Sequence, residues 1–572
     1  MFTFPINDLS EFYLKNLEKK TMKKQNFIKS SVILIVSVAV AKAAGAFFRI
    51  PLANMLGGNG MAYFSGAYGI FLPVYAVFVT GLSSASAKLT AEYTALYGSI
   101  GTEKVRKYSL IIFSLTGIVG TAVMIMLAHP FAVYAAGSED IYLSVLAISP
   151  AVLFSCVTAA YRGCAEGKCN MYPTAVSQIA ESLVKLGAGL FLCMTIIKNE
   201  KYFLGIFSDS CSNSTSVAAA GAALGVTLSS LAGMVYMAAD DFFRKKESGE
   251  KGFLTCSIST VRLVKDIILT VVPLAASALL SNLTSVADLC TVMRFVGDSA
   301  EKFPDYFRER YDVFSKMDVS DFAEFAYGSY SGMAVTVFNL VPSFTNMFGK
   351  SIFPIAAEAW ARKDYKKSAE NSEKVLKATT LAAVPAGLGI FVLAERILIF
   401  LFPSSVNEVL FSVSSLRFLG IAMIFLCISF PVFSLFQAFG KAGIPARIMF
   451  AGLIVKTAGN IVLIRIPELN AAGAALSTVL CYFFVLAVSL AVFKRSCKIK
   501  LGLFRVFAGP VYSGMMCMAA AWLAEQIAGK YLGNTAVLFV SVIFGGVAYI
   551  SSVFLLGEYK NIKEVFFTEN TV

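Results

Sequence analysis

The chain has little charge. Of its 572 residues only 15% are Asp, Glu, Lys or Arg, while 57% are hydrophobic, and the mean hydropathy is +0.71. A soluble globular domain is about one quarter charged, so this composition excludes one and indicates an integral membrane protein. Histidine is almost missing. The single residue of that type, His129, stands at a helix end, and no paired carboxylates gather at an interface. A membrane glycosyltransferase or acyltransferase needs such groups, so an enzyme is not expected. Cysteines such as Cys156, Cys193, Cys290 and Cys427 are scattered through apolar runs and imply neither a metal site nor a disulfide framework. The period-two alternation of a lipid-facing barrel is also absent. Long apolar runs are present instead, and in a bilayer these must be helices, which satisfy their backbone polar groups internally.

Each crossing takes about 20 mainly apolar residues. The runs predict about 14 transmembrane helices, the first at 30–50, the second at 67–90, the eighth at 330–357 and the last at 534–556. Lys and Arg concentrate in alternate loops, beginning with the leader 1–29, which places both termini in the cytoplasm of a multi-pass cytoplasmic-membrane protein. The formal charge of +13 then reports topology, and no nucleic-acid partner is implied.

Two parts of the chain resemble each other. Residues 89–120 and 355–387 each end a helix with Ala-Glu, pass through a basic linker and begin the next span. AYRGCAEGKCNMYP (160–173) and FQAFGKAGIP (436–445) are both short Gly-containing basic turns ending in Pro, and Lys185 and Lys456 follow those prolines at similar distances. Six helices separate the copies, so they have the same orientation and form a parallel repeat. The expected fold is all-α: an N-lobe of helices 1–6 (30–243) and a C-lobe of helices 7–12 (266–493) around a central cavity. A cytoplasmic connector (244–265) joins them, and two C-terminal helices with a cytoplasmic tail (494–572) follow. Within the C-lobe an outward loop, 294–329, is rich in acids.

Charges inside the spans are the functional signal, because a cation at the bilayer centre costs about 2.5 to 3.5 kcal/mol on insertion scales. Counting from Ser30, Lys42 lies about 18 Å into a slab about 30 Å thick, near its middle, and Arg49 lies near its far edge. Their spacing of seven puts both on one helix stripe. Lys350 and Lys456 have no local partner within their spans. Glu181 and Lys185 are spaced i, i+4 with the acid first, the favourable order for a pair along a helix; a structural pair and a cavity role both remain open. Asp288 lies deep among hydroxyls and amides, and Asn460 and Thr478 supply further oxygens suited to a small hard cation. Asp288 paired with a neighbouring Lys or Arg is the equal alternative. Cations dominate the deep positions of the N-lobe and span eight, which favours an anion such as phosphate.

Residues 62–93, 161–189, 351–367 and 435–464 together resemble the multidrug/oligosaccharidyl-lipid/polysaccharide exporter superfamily. Its polysaccharide-synthesis branch, around the stage V sporulation protein B group, is the nearest, and the MviN-type lipid II flippases are more distant. The resemblance implies a cavity with alternating access that moves a polyprenyl-diphosphate-linked oligosaccharide or peptidoglycan precursor across the membrane. The partners implied are that lipid-linked glycan and membrane lipids, with a monomer as the working unit. The alternatives are a cation-coupled drug exporter of the same superfamily and a non-transporting scaffold for envelope synthesis. Cations of the first, second and eighth helices line the cavity in such flippases, and Lys42, Arg49 and Lys350 fall on the matching helices; the second departs, leaving Lys88. No cofactor is implied beyond sodium or a proton as coupling ion. Asp288, Asn460 and Thr478 resemble a sodium site of some relatives, with a second acid replaced near Ile464.

Overall fold

The computed structural model describes residues 6–207, 213–248, 260–441, 443–497 and 501–557. Its helices follow in order as α1 (Ile6–Phe78), α2 (Leu82–Pro130), α3 (Tyr142–Ile148), α4 (Pro150–Gly167), α5 (Tyr172–Lys198), α6 (Glu200–Phe207) and α7 (Ser214–Ser248). After these come α8 (Thr260–Lys302), α9 (Pro304–Arg310), α10 (Val319–Ser329), α11 (Val335–Phe338), α12 (Leu340–Ala361), α13 (Tyr365–Leu401) and α14 (Val406–Ala438). The last four are α15 (Gly443–Leu463), α16 (Asn470–Cys497), α17 (Leu503–Ala528) and α18 (Asn534–Leu555).

Among the described residues, twelve stretches are long and apolar enough to cross a membrane, against the fourteen expected. The first two expected spans run together in one stretch, Ala43–Gly98. The eighth runs through a π-helical turn (Tyr330–Ala334), α11 and most of α12, where the side chains of 347–355 lie outside the described residues. Large apolar side chains stand exposed along these helices, for example Leu115, Val119 and Met126 on α2 and Phe539, Ile543 and Phe544 on α18. Water would not tolerate patches of this extent, whereas hydrocarbon does. The chain is a multi-pass membrane protein.

Helices before residue 249 pack chiefly on one another, α2 on α4, α5 on α7 and α1 on α5. Those after 259 do the same, α14 on α12, α13 and α16, and α15 on α16, with α17 and α18 against α13. Arg396 of α13 holds the last two helices through Glu525 at 3.1 Å and through Asn534. The two turns that look alike in sequence each carry one left-handed residue, Cys169 (φ 59°) and Gly440 (φ 74°). Of the expected connector, 244–248 continue α7 and 260–265 begin α8, while 249–259 lie outside the described residues. The expected C-terminal tail, from 558, lies outside them too. The acidic stretch 294–329 is largely helical, built from the end of α8 and from α9 and α10.

The two groups meet along α1, which contacts α8, α10 and the π-helical turn Tyr330–Ala334. At one end of the bundle this junction is closed. Gly57 (φ 65°) breaks the regular path of α1, a conformation that only glycine takes freely. The next residue then donates its N–H to Glu408 Oε1 at 3.2 Å. Gly58 and Gly328 bring α1 and α10 into backbone contact: a Cβ on Gly328 would stand 1.7 Å from the Gly58 carbonyl oxygen. Three further bonds cross here. Asn54 Nδ2 donates to Leu401 O at 2.9 Å, Asn59 Nδ2 to Asp321 O at 3.3 Å, and Tyr63 OH to Glu324 Oε2 at 2.6 Å.

Candidate functional site

Deeper in the bundle, the groups enclose a cavity of about 320 Å³ lined from α1 (Ala41, Ala43, Gly45, Ala46, Arg49, Tyr68), α5 (Lys185) and the start of α12 with its approach (Thr336, Asn339, Leu340, Ser343, Phe344). Small residues on α1 keep this wall thin, and the aromatic Tyr68 organises its charge. The Arg49 guanidinium carbon lies 5.5 Å from the Tyr68 ring centre and Lys185 Nζ 5.2 Å from it, distances at which the ring quadrupole attracts a cation. Lys185 Nζ also donates to Tyr68 OH at 2.9 Å and lies 5.2 Å from the Phe48 ring. Two cations thus share one aromatic ring. Among the described residues the cavity lining contains no carboxylate.

The expected Glu181–Lys185 pair does not form. Glu181 Oε1 instead accepts from Arg162 Nη2 at 2.8 Å, while Arg162 Nε donates to Ser177 Oγ at 2.9 Å. The physical reason is room and charge. Gly233 on α7 has no Cβ, which would otherwise stand 1.9 Å from Glu181 Oε1, so the carboxylate lies against α7 where the bidentate-capable guanidinium of α4 meets it. That leaves Lys185 without its i−4 acid and turned to Tyr68. Glu181 therefore belongs to the support of the cavity and not to its lining.

The other expected cavity residues divide. Arg49 and Lys185 meet, as just described, while Lys88 on α2 is exposed and outside the cavity lining. The side chains of Lys42 and Lys350 lie outside the described residues. Their backbone positions are on α1 between Ala41 and Ala43 and on α12 seven residues after Ser343.

A second polar cluster lies between α8, α15 and α16. Asp288, Asn460 and Thr478 come together, as the sequence suggested, but around the ammonium of Lys456. Its Nζ donates to Asp288 Oδ2 at 2.8 Å and to Thr478 Oγ1 at 2.9 Å. Asn460 Nδ2 donates to Asp288 Oδ1 at 3.0 Å and to Thr291 Oγ1 at 2.8 Å, and Tyr330 OH to Asp288 Oδ2 at 3.2 Å. Lys456 is 3% exposed, Asp288 8% and Asn460 0%, so this is a desolvated ion pair whose remaining lone pairs are bonded, the arrangement that burial demands. The set therefore does not fit a free sodium ion, because its oxygens already face a cation. No group of three His, Cys, Asp or Glu side chains that could hold a metal occurs among the described residues.

Sequence reasoning missed Tyr68, Arg162, Thr291 and Tyr330. Arg162 looked like one more basic linker residue, and only its place across from Glu181 at the ends of adjacent helices could have shown its role. Tyr330 sits in a π-helical turn, a local feature that often marks function and that no spacing in the chain announces.

Comparison with known proteins agrees with this architecture. Stage V sporulation protein B of Bacillus subtilis (strain 168) is 26% identical over 464 residues, covering 80% of this chain and 82% of that protein. Lipid II flippase MurJ of the same organism is 20% identical over 559 residues, 94% of this chain and 96% of that one. A solved structure of lipid II flippase MurJ in an inward closed conformation matches with a TM-score of 0.63 at 15% identity, covering 93% of this chain and 99% of that chain. An inward-facing multidrug resistance MATE family transporter of the MOP superfamily matches at 0.60 and 13% identity, covering 81% and 96%; both likenesses concern the fold. The lipid II flippase MurJ family model matches residues 313–542. The model of the polysaccharide biosynthesis protein family matches residues 27–360, more than half of the chain, and the chain belongs to that family.

Proposed function

We propose that this protein translocates a polyprenyl-diphosphate-linked oligosaccharide or peptidoglycan precursor across the cytoplasmic membrane by alternating access. The observation that carries the reading is the pair of cations, Arg49 and Lys185, that share the Tyr68 ring in a cavity whose lining has no carboxylate among the described residues. Cations held in a membrane-embedded cavity without acids call for water or an anion. A diphosphate supplies that charge, with oxygens for both the planar guanidinium and the point-charge ammonium. Lys42 and Lys350, on the same two helices as Arg49 and Ser343, belong to this reading by their places in the sequence alone. Lipid II, the substrate in the name of one relative, is a lipid-linked precursor of this class.

With the N-terminus and C-terminus in the cytoplasm, the closed junction at Gly58 and Gly328 faces outward and the cavity is loaded from the inside. Releasing the glycan outside then requires that junction to part while the cytoplasmic side closes. The polar head crosses through the cavity, and the polyprenyl tail stays in lipid because burying it elsewhere gains nothing. No covalent step is involved, and the working unit of this reading is one copy of the chain.

Proteoliposomes loaded with a fluorescent polyprenyl-diphosphate sugar test this reading. The chain should move the lipid between leaflets, and Arg49→Ala with Lys185→Ala should abolish movement. Unchanged translocation in the double variant, or transport of an organic cation in place of the lipid, overturns it; the second result is that of a drug exporter.

A further inference from the structure

We propose that Lys456 is a tethered cation that takes the place of a coupling ion, so that the cluster between α8, α15 and α16 needs no free sodium. The inference stands apart from the lipid-linked substrate, since it concerns a different set of residues and a test without substrate.

Oxygens suited to a hard monovalent cation converge on the cluster, from the Asp288 carboxylate, Thr478 and Tyr330. Asn460 Oδ1 is buried without a hydrogen-bond partner among the described residues, an acceptor that a neutral, fully paired core would not leave over. What these groups face is an ammonium already in place, carrying a single positive charge and using two of its three donors on Asp288 and Thr478. A second cation here meets direct like-charge repulsion in a site with little water to screen it.

The repeat explains how one lysine position came to serve two purposes. Lys185 and Lys456 occupy matching places after Pro173 and Pro445. In the earlier group of helices, α1 carries cations, and Lys185 lies in the cavity on Tyr68. In the later group α8 carries Asp288 instead, and Lys456 is locked to it. The lock also reaches the cavity: Tyr330, bonded to Asp288, begins the π-helical turn that leads directly into α11 and α12, whose residues Thr336 and Ser343 line the wall. One turn of backbone therefore joins the cluster to that wall.

The test is thermal unfolding of the purified full chain in detergent, in sodium chloride and in choline chloride at equal ionic strength, with radioactive sodium binding measured in parallel. The wild-type chain should unfold at the same temperature in both salts and bind no sodium. Lys456→Ala should unfold earlier in choline and regain at least about 2 °C, saturably, with sodium, and Asp288→Asn added to it should remove that response. Saturable sodium stabilisation or stoichiometric sodium binding by the wild type overturns the proposal, whatever the variants do. So does a folded Lys456→Ala with no sodium response. Where Lys456→Ala accumulates only in sodium-containing buffer the proposal stands, and failure in both salts contradicts it.

Discussion

Replacing Gly328 by alanine should open the closed end of the bundle. The added Cβ would lie 1.7 Å from the Gly58 carbonyl oxygen and 2.7 Å from the Ala62 nitrogen. Backbone atoms cannot swing aside as a flexible side-chain tip can, so α1 and α10 must part by more than about 1 Å. That movement stretches the bonds spanning the junction, Gly58 N–H to Glu408 at 3.2 Å and Tyr63 OH to Glu324 at 2.6 Å. Both end on a carboxylate, where a hydrogen bond contributes about 1.5 to 3 kcal/mol; losing most of one costs about 2 kcal/mol and shifts a two-state equilibrium about 30-fold toward opening. A minor open state of about 1% would rise to about one quarter of the molecules.

Spin labels report this directly. Tyr134 is 87% exposed and Ser320 is exposed, and both line one cleft, Tyr134 from the turn after α2 and Ser320 from α10. Labels on cysteines placed there, in a cysteine-depleted background, should show a second, longer distance in Gly328→Ala by double electron–electron resonance. Gly297→Ala serves as the control, since its Cβ would meet nothing closer than Ala323 at 3.8 Å. An unchanged distance distribution in folded Gly328→Ala, or the same change in the control, refutes the reasoning.

Two other substitutions follow from the cavity. Arg162→Ala leaves Glu181 without its cation and next to Lys185 on the same helix, so transport should fall and thermal stability should drop by about 1 to 3 kcal/mol. Arg162→Ala with Glu181→Gln should recover much of both, and a double-mutant cycle with no coupling between the two would contradict this. Lys88→Ala, at an exposed position outside the cavity lining, should leave transport within about twofold of wild type, a surface substitution being worth within about 0.5 kcal/mol. A large loss there would return Lys88 to the substrate path.

Much of the architecture was legible because the bilayer imposes it. Apolar length reports spans directly, and the turns 160–173 and 436–445, alike in sequence, both contain a left-handed residue. The spans were least legible around α1, which is broken at Gly57 and holds the first expected span and only the start of the second, the rest of which falls past Phe78. Asp288, Asn460 and Thr478 were found as a set because each is a polar residue in an apolar run, which costs free energy unless it has partners. The cation they face was not identified, since Lys456 is 168 residues from Asp288 and no local rule spans that distance. The Glu181–Lys185 expectation failed for a related reason. An i, i+4 pair on a helix contributes only about 0.2 to 0.5 kcal/mol, and a guanidinium from the neighbouring helix, with glycine making room beside it, outweighs that readily.

The central claim is that Arg49 and Lys185 hold a diphosphate, and equilibrium binding measures it most directly. Wild-type protein in nanodiscs should bind a polyprenyl-diphosphate sugar more tightly than the corresponding polyprenyl sugar without phosphate. Arg49→Ala and Lys185→Ala should each weaken binding about 10- to 100-fold, the loss of one charge-assisted contact of about 1.5 to 3 kcal/mol, with the phosphate-free lipid unaffected. Equal affinity for the two lipids, or a double variant that binds the diphosphate lipid as the wild type does, would contradict the account.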